Sequence, residues 1–250
     1  MPSKKIERIS RNITYRWAAH IIYTLQSCGV EHFVISPGSR STPLTMAVAA
    51  MPTIKKHVVL DERSAGFIAL GIGKKLGKPA ALICTSGTAV ANYYPAVIEA
   101  RKSAVPLIIL SADRPPELHG TGANQTINQQ QLFGNYAQFY DTGLAQEDSQ
   151  SISALVSKIS KLIIKSVSQR EPLQINIPLS KPLEPTQEFY SNFEVEKKED
   201  RNIYRYPAKQ ESPGGRSLTL PRDIQNRVSG ARRPVLIAGQ QQCFDNCENL

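Results

Sequence analysis

Short apolar runs that alternate with helix-length amphipathic segments constrain the fold of this 250-residue chain more than any other feature of its sequence. HFVIS (32–36) ends in PGSRSTP, where Pro and Gly break a strand and Ser/Thr can cap a helix over 43–50. HVVL (57–60) leads into the helix ERSAGFIALGIGKKL, PAALICT (79–85) into the helix TAVANYYPAVIEARK, and PLIILSA (106–112) into a long polar loop. Ahead of them, residues 12–28 place Trp17, Ile21, Ile22 and Leu25 at helical spacing, and Gly29 stops the helix. A helix over about 151–168 and the strand PLQINIP (172–178) follow. The runs are strand-length and apolar without alternation, as strands buried on both faces must be. The implied fold is α/β: a doubly wound, mostly parallel sheet with helices on both faces.

After Pro178 the composition changes. Residues 1–180 are read as one domain, and 181–230, rich in Pro, Glu, Lys, Ser and Gly and containing SPGGRS, as a linker. RRPVLIAG then reads as the opening strand of a second α/β domain, cut short over 231–250. No apolar run reaches the roughly 18 to 20 residues that span a bilayer, and the basic start lacks an apolar h-region, so a soluble cytoplasmic protein is expected. The net charge of +9 comes from Lys and Arg spread from Lys4 to Arg233, not from one basic patch, so no nucleic-acid partner is expected. Cys28, Cys84, Cys243 and Cys247 read as free thiols. No histidine or further cysteine follows Cys247 to complete a tetrahedral set, so no metal site is expected there.

In open parallel sheets, ligands bind beyond the carboxyl ends of the strands, which singles out PGSRS, DER, SGT and DRPPEL. Glu62 enters a helix where the macrodipole favours a carboxylate, and by position alone it could be no more than a helix-start acid. Arg40 and Arg114 offer the fixed forks that bind carboxylates. Arg114 could instead pair with Asp113 or Glu117, but Pro115 and Pro116 stiffen the loop that presents it. The TSGT turn (85–88) could cradle a phosphate or pack a flat ring, although it lacks the lysine of a P-loop. Gly71 and Gly73 lie inside a helix and are read as close-packing glycines. His119 is either a solvated loop histidine or a substrate contact.

PGSRSTPL, DERSAGFIALG, TSGTAVANYYPAVIEA, ADRPPEL and GANQ occur in this order. Together they resemble the thiamine-diphosphate-dependent enzymes, and within them the 2-succinyl-5-enolpyruvyl-6-hydroxy-3-cyclohexene-1-carboxylate synthases of menaquinone biosynthesis. The resemblance is strong over residues 12–178 and weak in the linker. It implies that residues 1–180 are a pyrimidine-binding domain, with Glu62 hydrogen-bonded to the cofactor's pyrimidine ring and Pro37, Thr85 and Gly87 beside that ring. It implies thiamine diphosphate and Mg²⁺ as cofactors, with the diphosphate and metal ligands in a carboxy-terminal domain outside this chain, so that these residues alone are inactive. By the same resemblance, Ser39, Arg40, Arg114, Asn124 and Gln125 meet substrate, the donor being 2-oxoglutarate and the acceptor isochorismate. A homodimer or homotetramer is implied through the helix beside Glu62, whose Phe67, Ile68, Leu70 and Ile72 exceed what one buried face needs and read either as an interface or as a fully covered core helix. Two alternatives stay open: a carboligase resembling acetolactate synthase, which shares the glutamate but not the arginine-rich loops, and a non-catalytic binding or assembly module.

Overall fold

Six strands of the computed structural model pair in parallel, in the order β2-β1-β3-β4-β6-β5. They are β1 (His32–Ile35), β2 (Lys55–Val58), β3 (Ala80–Cys84), β4 (Leu107–Asp113), β5 (Gln138–Asp141) and β6 (Leu173–Pro178). Between and around them run α1 (Ile13–Ser27), α2 (Thr42–Ala49), α3 (Glu62–Leu76), α4 (Thr88–Ala91), α5 (Tyr94–Lys102) and α6 (Ser149–Gln169). The structure describes residues 12–185 together with Arg222. Most of the linker expected over 181–230, and all of the strand expected over 231–250 with Cys243 and Cys247, lie outside the described residues.

Alternation along the central strands builds two cores. Phe33, Ile35, Ala81, Ile83, Ile108 and Leu110 join a cluster with α1, α2 and α6. Val34, Leu82, Cys84, Leu107 and Ile109 face the other way and join α3, α4 and α5. Each Leu or Ile buried in this way contributes roughly 1.5–3 kcal/mol, which is why β3 and β4 read as unbroken apolar runs. The chain passes from β1 outward to β2 and then returns to the other side of β1 as β3, so the strand order reverses between β1 and β3. Such a reversal opens a crevice beyond the strand ends.

Local signals set the helix ends. Asn12 caps α1 by accepting from the Thr14 amide at 2.8 Å. At the other end Gly29, at φ 83°, lets its own amide reach Gln26 O and that of Val30 reach Leu25 O, a Schellman closure. Asp61 caps α3 and places Glu62 in its first turn.

Several expectations shift. Ser41 precedes α2 but makes no side-chain cap; its hydroxyl donates back to Gly38 O at 3.0 Å, and Pro43 removes an amide from the first turn. TAVANYYPAVIEARK is two helices, because Pro95 has no N–H to carry the ladder and Tyr93 turns inward to donate its hydroxyl to Ile83 O at 3.2 Å. The strand expected over 57–60 lies at Lys55–Val58; it is an edge strand, and Val58 and Leu60 are 68% and 82% exposed, so its apolar residues mark surface. Within the polar loop, Gln138–Asp141 adds a half-buried edge strand, β5, beside β6. Of the helical glycines, Gly73 does pack closely, since a Cβ there would sit 2.9 Å from Val105, whereas Gly71 faces open space. Gly66 is the other tight position, 2.8 Å from Ala96 Cβ.

Candidate functional site

The crevice at the β1/β3 reversal is closed by a tight contact: a Cβ on Gly38 would stand 2.3 Å from Thr85 Cβ, so only glycine lets these two turns meet. Around that contact Ser39, Arg40, Thr85, Arg114 and Gln125 line a cavity of about 240 Å³, with Ser86, Lys181 and Leu183 completing it. Four strand ends contribute: β1, β3, β4 and β6.

Arg40 is 4% exposed and donates from Nη1 to Leu179 O. Its Nε, like that of Arg114, is buried with no partner among the described residues. Burial lowers the pKa of Arg40, the nearby charge of Arg114 lowers it further, and Asp113 and Glu117 offset part of this. Two like charges held together with unused donors form an arrangement that an anion completes. Neither Asp113 nor Glu117 forms a salt bridge with Arg114 among the described residues. The Asp113 carboxylate accepts instead from Arg114's own amide at 2.7 Å and from Asn176 Nδ2 at 2.9 Å. Burial raises the Asp113 pKa against these bonds. His119, exposed as a loop histidine should be, has partners nonetheless: its Nε2 lies 2.9 Å from Arg114 O and 3.7 Å from Asp113 Oδ1. It clips the arginine loop.

Gln125 adopts φ 57° and exchanges two 3.0 Å hydrogen bonds with Ser86, Nε2 to Ser86 O and Ser86 Oγ to Gln125 O. Gly87, at φ 82°, packs so closely that a Cβ would lie 2.8 Å from Gln125 Cγ. Asn124 and Pro37 are exposed and do not line the cavity. Glu62 is also outside it. Half-buried at the head of α3, it is close enough to Cys84 and Tyr93 for its charge to add to the burial that raises both of their pKa values. Among the described residues nothing hydrogen-bonds or ion-pairs with its carboxylate, so both oxygens are free to receive a ligand's N–H.

Gln129 went unrecognised in the sequence. It is 1% exposed; its Oε1 accepts from the Gly87 amide at 2.8 Å, and its Nε2 donates to Ala112 O at 3.2 Å and to Asn176 Oδ1 at 2.9 Å. Asn176 also donates to Asp141 Oδ2 at 2.8 Å, and Ser111 Oγ donates to Asn176 Oδ1 at 3.0 Å. Nothing in INQQQLF separates Gln129 from Gln130 or Gln131. An asparagine inside an apolar strand, Asn176 in LQINIP, was the available signal that a buried polar network lay at this end of the sheet.

Residues 16–132 match the family described as thiamine pyrophosphate enzyme, N-terminal TPP binding domain. Over those residues the chain is similar to the N-terminal domain of the thiamine pyrophosphate enzymes. Among relatives, it is 41% identical over 244 residues to a 2-succinyl-5-enolpyruvyl-6-hydroxy-3-cyclohexene-1-carboxylate synthase of Chlorobaculum parvum, a match that covers 95% of this chain and 41% of that protein. Proteins of the same name from Bacillus velezensis (51% over 159 residues, 63% of this chain and 28% of the relative) and Haloarcula marismortui (46% over 177 residues, 70% and 30%) are also similar. The chain thus spans about two fifths of the length of the Chlorobaculum relative. Glu62 and all the sequence-expected residues of the cavity lie within the segment that matches the thiamine pyrophosphate enzymes, whereas Asn176 and Lys181 lie beyond it. Among the described residues, no group of three or more His, Cys, Asp or Glu is placed to hold a metal, and no helix is long and apolar enough to cross a membrane.

Proposed function

We propose that this chain is the pyrimidine-binding portion of a synthase dependent on thiamine diphosphate and Mg²⁺. That enzyme decarboxylates 2-oxoglutarate and joins what remains to isochorismate, giving 2-succinyl-5-enolpyruvyl-6-hydroxy-3-cyclohexene-1-carboxylate. The observation that carries this reading is the pair of arginines, Arg40 buried and Arg114 half-buried, each with a buried, unused Nε, at the reversal of the sheet and on the same sheet edge as Glu62. The names of the relatives support the choice of substrates. Thiamine diphosphate, when bound, supplies the electron sink that decarboxylation needs. Glu62, whose carboxylate has no partner among the described residues, would hold a proton toward a ring nitrogen of the pyrimidine, and Pro37, Thr85 and Gly87 would border that ring. Arg40 and Arg114 bind a carboxylate of isochorismate, and Ser39, Asn124 and Gln125 provide neutral hydrogen bonds around it. Mg²⁺ and the diphosphate belong to a part of the enzyme outside this chain.

Val58, Leu60, Phe67 and Ile68 are all more than two fifths exposed beside Glu62, which supports a homo-oligomer formed over α3. The free, buried thiols of Cys28 and Cys84 agree with a cytoplasmic enzyme. The test is Glu62→Gln in the full-length enzyme. Carboligation should fall by roughly 10²–10⁴-fold with folding unchanged. Near-normal turnover would remove Glu62 from its role, and turnover of pyruvate in preference to isochorismate plus 2-oxoglutarate would favour an acetolactate-synthase-like enzyme.

A further inference from the structure

Composition placed residues after 180 in a linker, yet the backbone there is pinned to the domain carbonyl by carbonyl. Leu179 O accepts from Arg40 Nη1, Ser180 O from Thr14 Oγ1 at 3.5 Å, Pro182 O from Asn12 Nδ2 at 3.1 Å, and Leu183 O from the Tyr15 hydroxyl at 2.7 Å. Leu183 is itself buried in the core against α1. Lys181 is therefore carried on a fixed strap, and its side chain borders the 240 Å³ cavity together with Arg40 and Arg114. The same three cations also border a second cavity of about 340 Å³, which extends along Pro115, Glu117 and Leu118. Among the described residues, no carboxylate lines the first cavity, and Glu117 is the one that lines the second. Even with Asp113 buried behind the arginines, the three cations outnumber the carboxylates of Asp113 and Glu117 near them.

An exposed lysine just past a last strand is ordinarily a solvated one, whose flexible stem makes ordering costly. Here the backbone on both sides is already fixed, which lowers that cost. The arginine forks suit bidentate capture of one carboxylate; a compact ammonium on a long stem suits a second carboxylate whose position is less constrained. We propose that Lys181 binds the second carboxylate of the acceptor, so that the site selects a ring acid carrying two carboxylates over one carrying a single carboxylate. This rests on reading the cavity as the isochorismate site.

The experiment uses the full-length enzyme with Lys181→Met, which keeps the stem and removes the charge, and Lys181→Arg, which keeps the charge. Isochorismate is the two-carboxylate probe. 2,3-Dihydro-2,3-dihydroxybenzoate, a dihydroxy ring acid without the enolpyruvyl group, is the one-carboxylate probe and is read as a competitive inhibitor. In Lys181→Met, KM for isochorismate should rise on the order of tenfold, the contribution of one charge-assisted contact, with the change in KM and not in kcat. The inhibition constant of the one-carboxylate probe should stay unchanged, and Lys181→Arg should restore most of the lost KM. An unchanged KM in Lys181→Met, or equal weakening of both probes, overturns the role of Lys181. If Arg114→Met also leaves KM for isochorismate unchanged, the reading of the cavity itself fails, a different result from failure at Lys181 alone.

Discussion

Gln129 holds the Gly87 amide at 2.8 Å through Oε1 while its Nε2 reaches the ends of β4 and β6, so one buried amide fixes three strand ends against each other. Both of its faces are used: acceptor toward Gly87, donor toward Ala112 O and Asn176 Oδ1. Gln129→Met takes the side-chain acceptor from the buried Gly87 amide and removes the Gln129 donor from Ala112 O and from Asn176 Oδ1, which keeps only the bond from Ser111 Oγ; it should destabilise the protein by about 1–3 kcal/mol, seen as a lower urea midpoint at unchanged slope. Gln129→Glu should be worse near neutral pH, since a carboxylate would face two acceptor oxygens with no proton to give. If Glu is tolerated better than Met, the hydrogen-bond directions assigned to Gln129 are wrong.

Gly38 meets Thr85 where no Cβ fits, so Gly38→Ala must push apart the turns that carry Ser39, Arg40 and Thr85. A cost of about 1–3 kcal/mol is expected, measured by chemical denaturation. Thr85→Gly removes the opposing Cβ, and adding it to Gly38→Ala should recover part of that loss, a non-additivity that only direct contact produces. Strict additivity in the double-mutant cycle would show that the two turns do not touch.

How far the sequence could be read follows from which residues face one environment and which face two. β3 and β4, covered by helices on both sides, are continuous apolar runs and declare themselves. The edge strands do not: β2 begins with Lys55 and Lys56, and β5 is half-buried throughout, so both look like loop or misplace their ends. The break before α5 was written in Pro95, whose missing N–H was a better guide than the apolar spacing around it. At the site, Arg40 and Arg114 stand out because an arginine in the loop that leaves a buried strand has to be explained. Gln129 and Lys181 do not stand out, one hidden among three glutamines and the other inside a change of composition that resembled a linker.

His32 should make stability fall on acidification. Its Nδ1 lies 3.0 Å from His57 Nε2, with the two rings within 5° of parallel, joining edge strand β2 to β1. Burial first, then Lys55, then His57 lower the His32 pKa from its ordinary 6.5, with Glu31 opposing and Lys78 adding to the effect. A histidine whose folded pKa is lowered binds fewer protons when folded than when unfolded. Stability therefore does not depend on this group above about pH 6.5, declines as pH falls through that value, and levels off below the folded pKa. Urea midpoints should drop between pH 7.5 and 5.5, and His32→Phe should reduce that drop. An equal drop in His32→Phe would assign the acid sensitivity to other groups.

The exposed apolar residues around Glu62 make the last test. Leu60 is 82% exposed, just before the helix that begins with Glu62, and Phe67 and Ile68 project from the next turns of the same helix at 46% and 41%. A patch of this kind costs solubility unless something covers it. If a second copy covers it, Leu60→Asp with Phe67→Asp places two carboxylates in an apolar interface and should shift the full-length enzyme toward monomer by light scattering. Activity should fall with the same concentration dependence, since Glu62 sits at the edge of that face and the diphosphate half of the site would come from the partner. A double variant that stays oligomeric and fully active would mean that α3 faces solvent in the assembled enzyme, and that the cofactor site is closed from within one subunit.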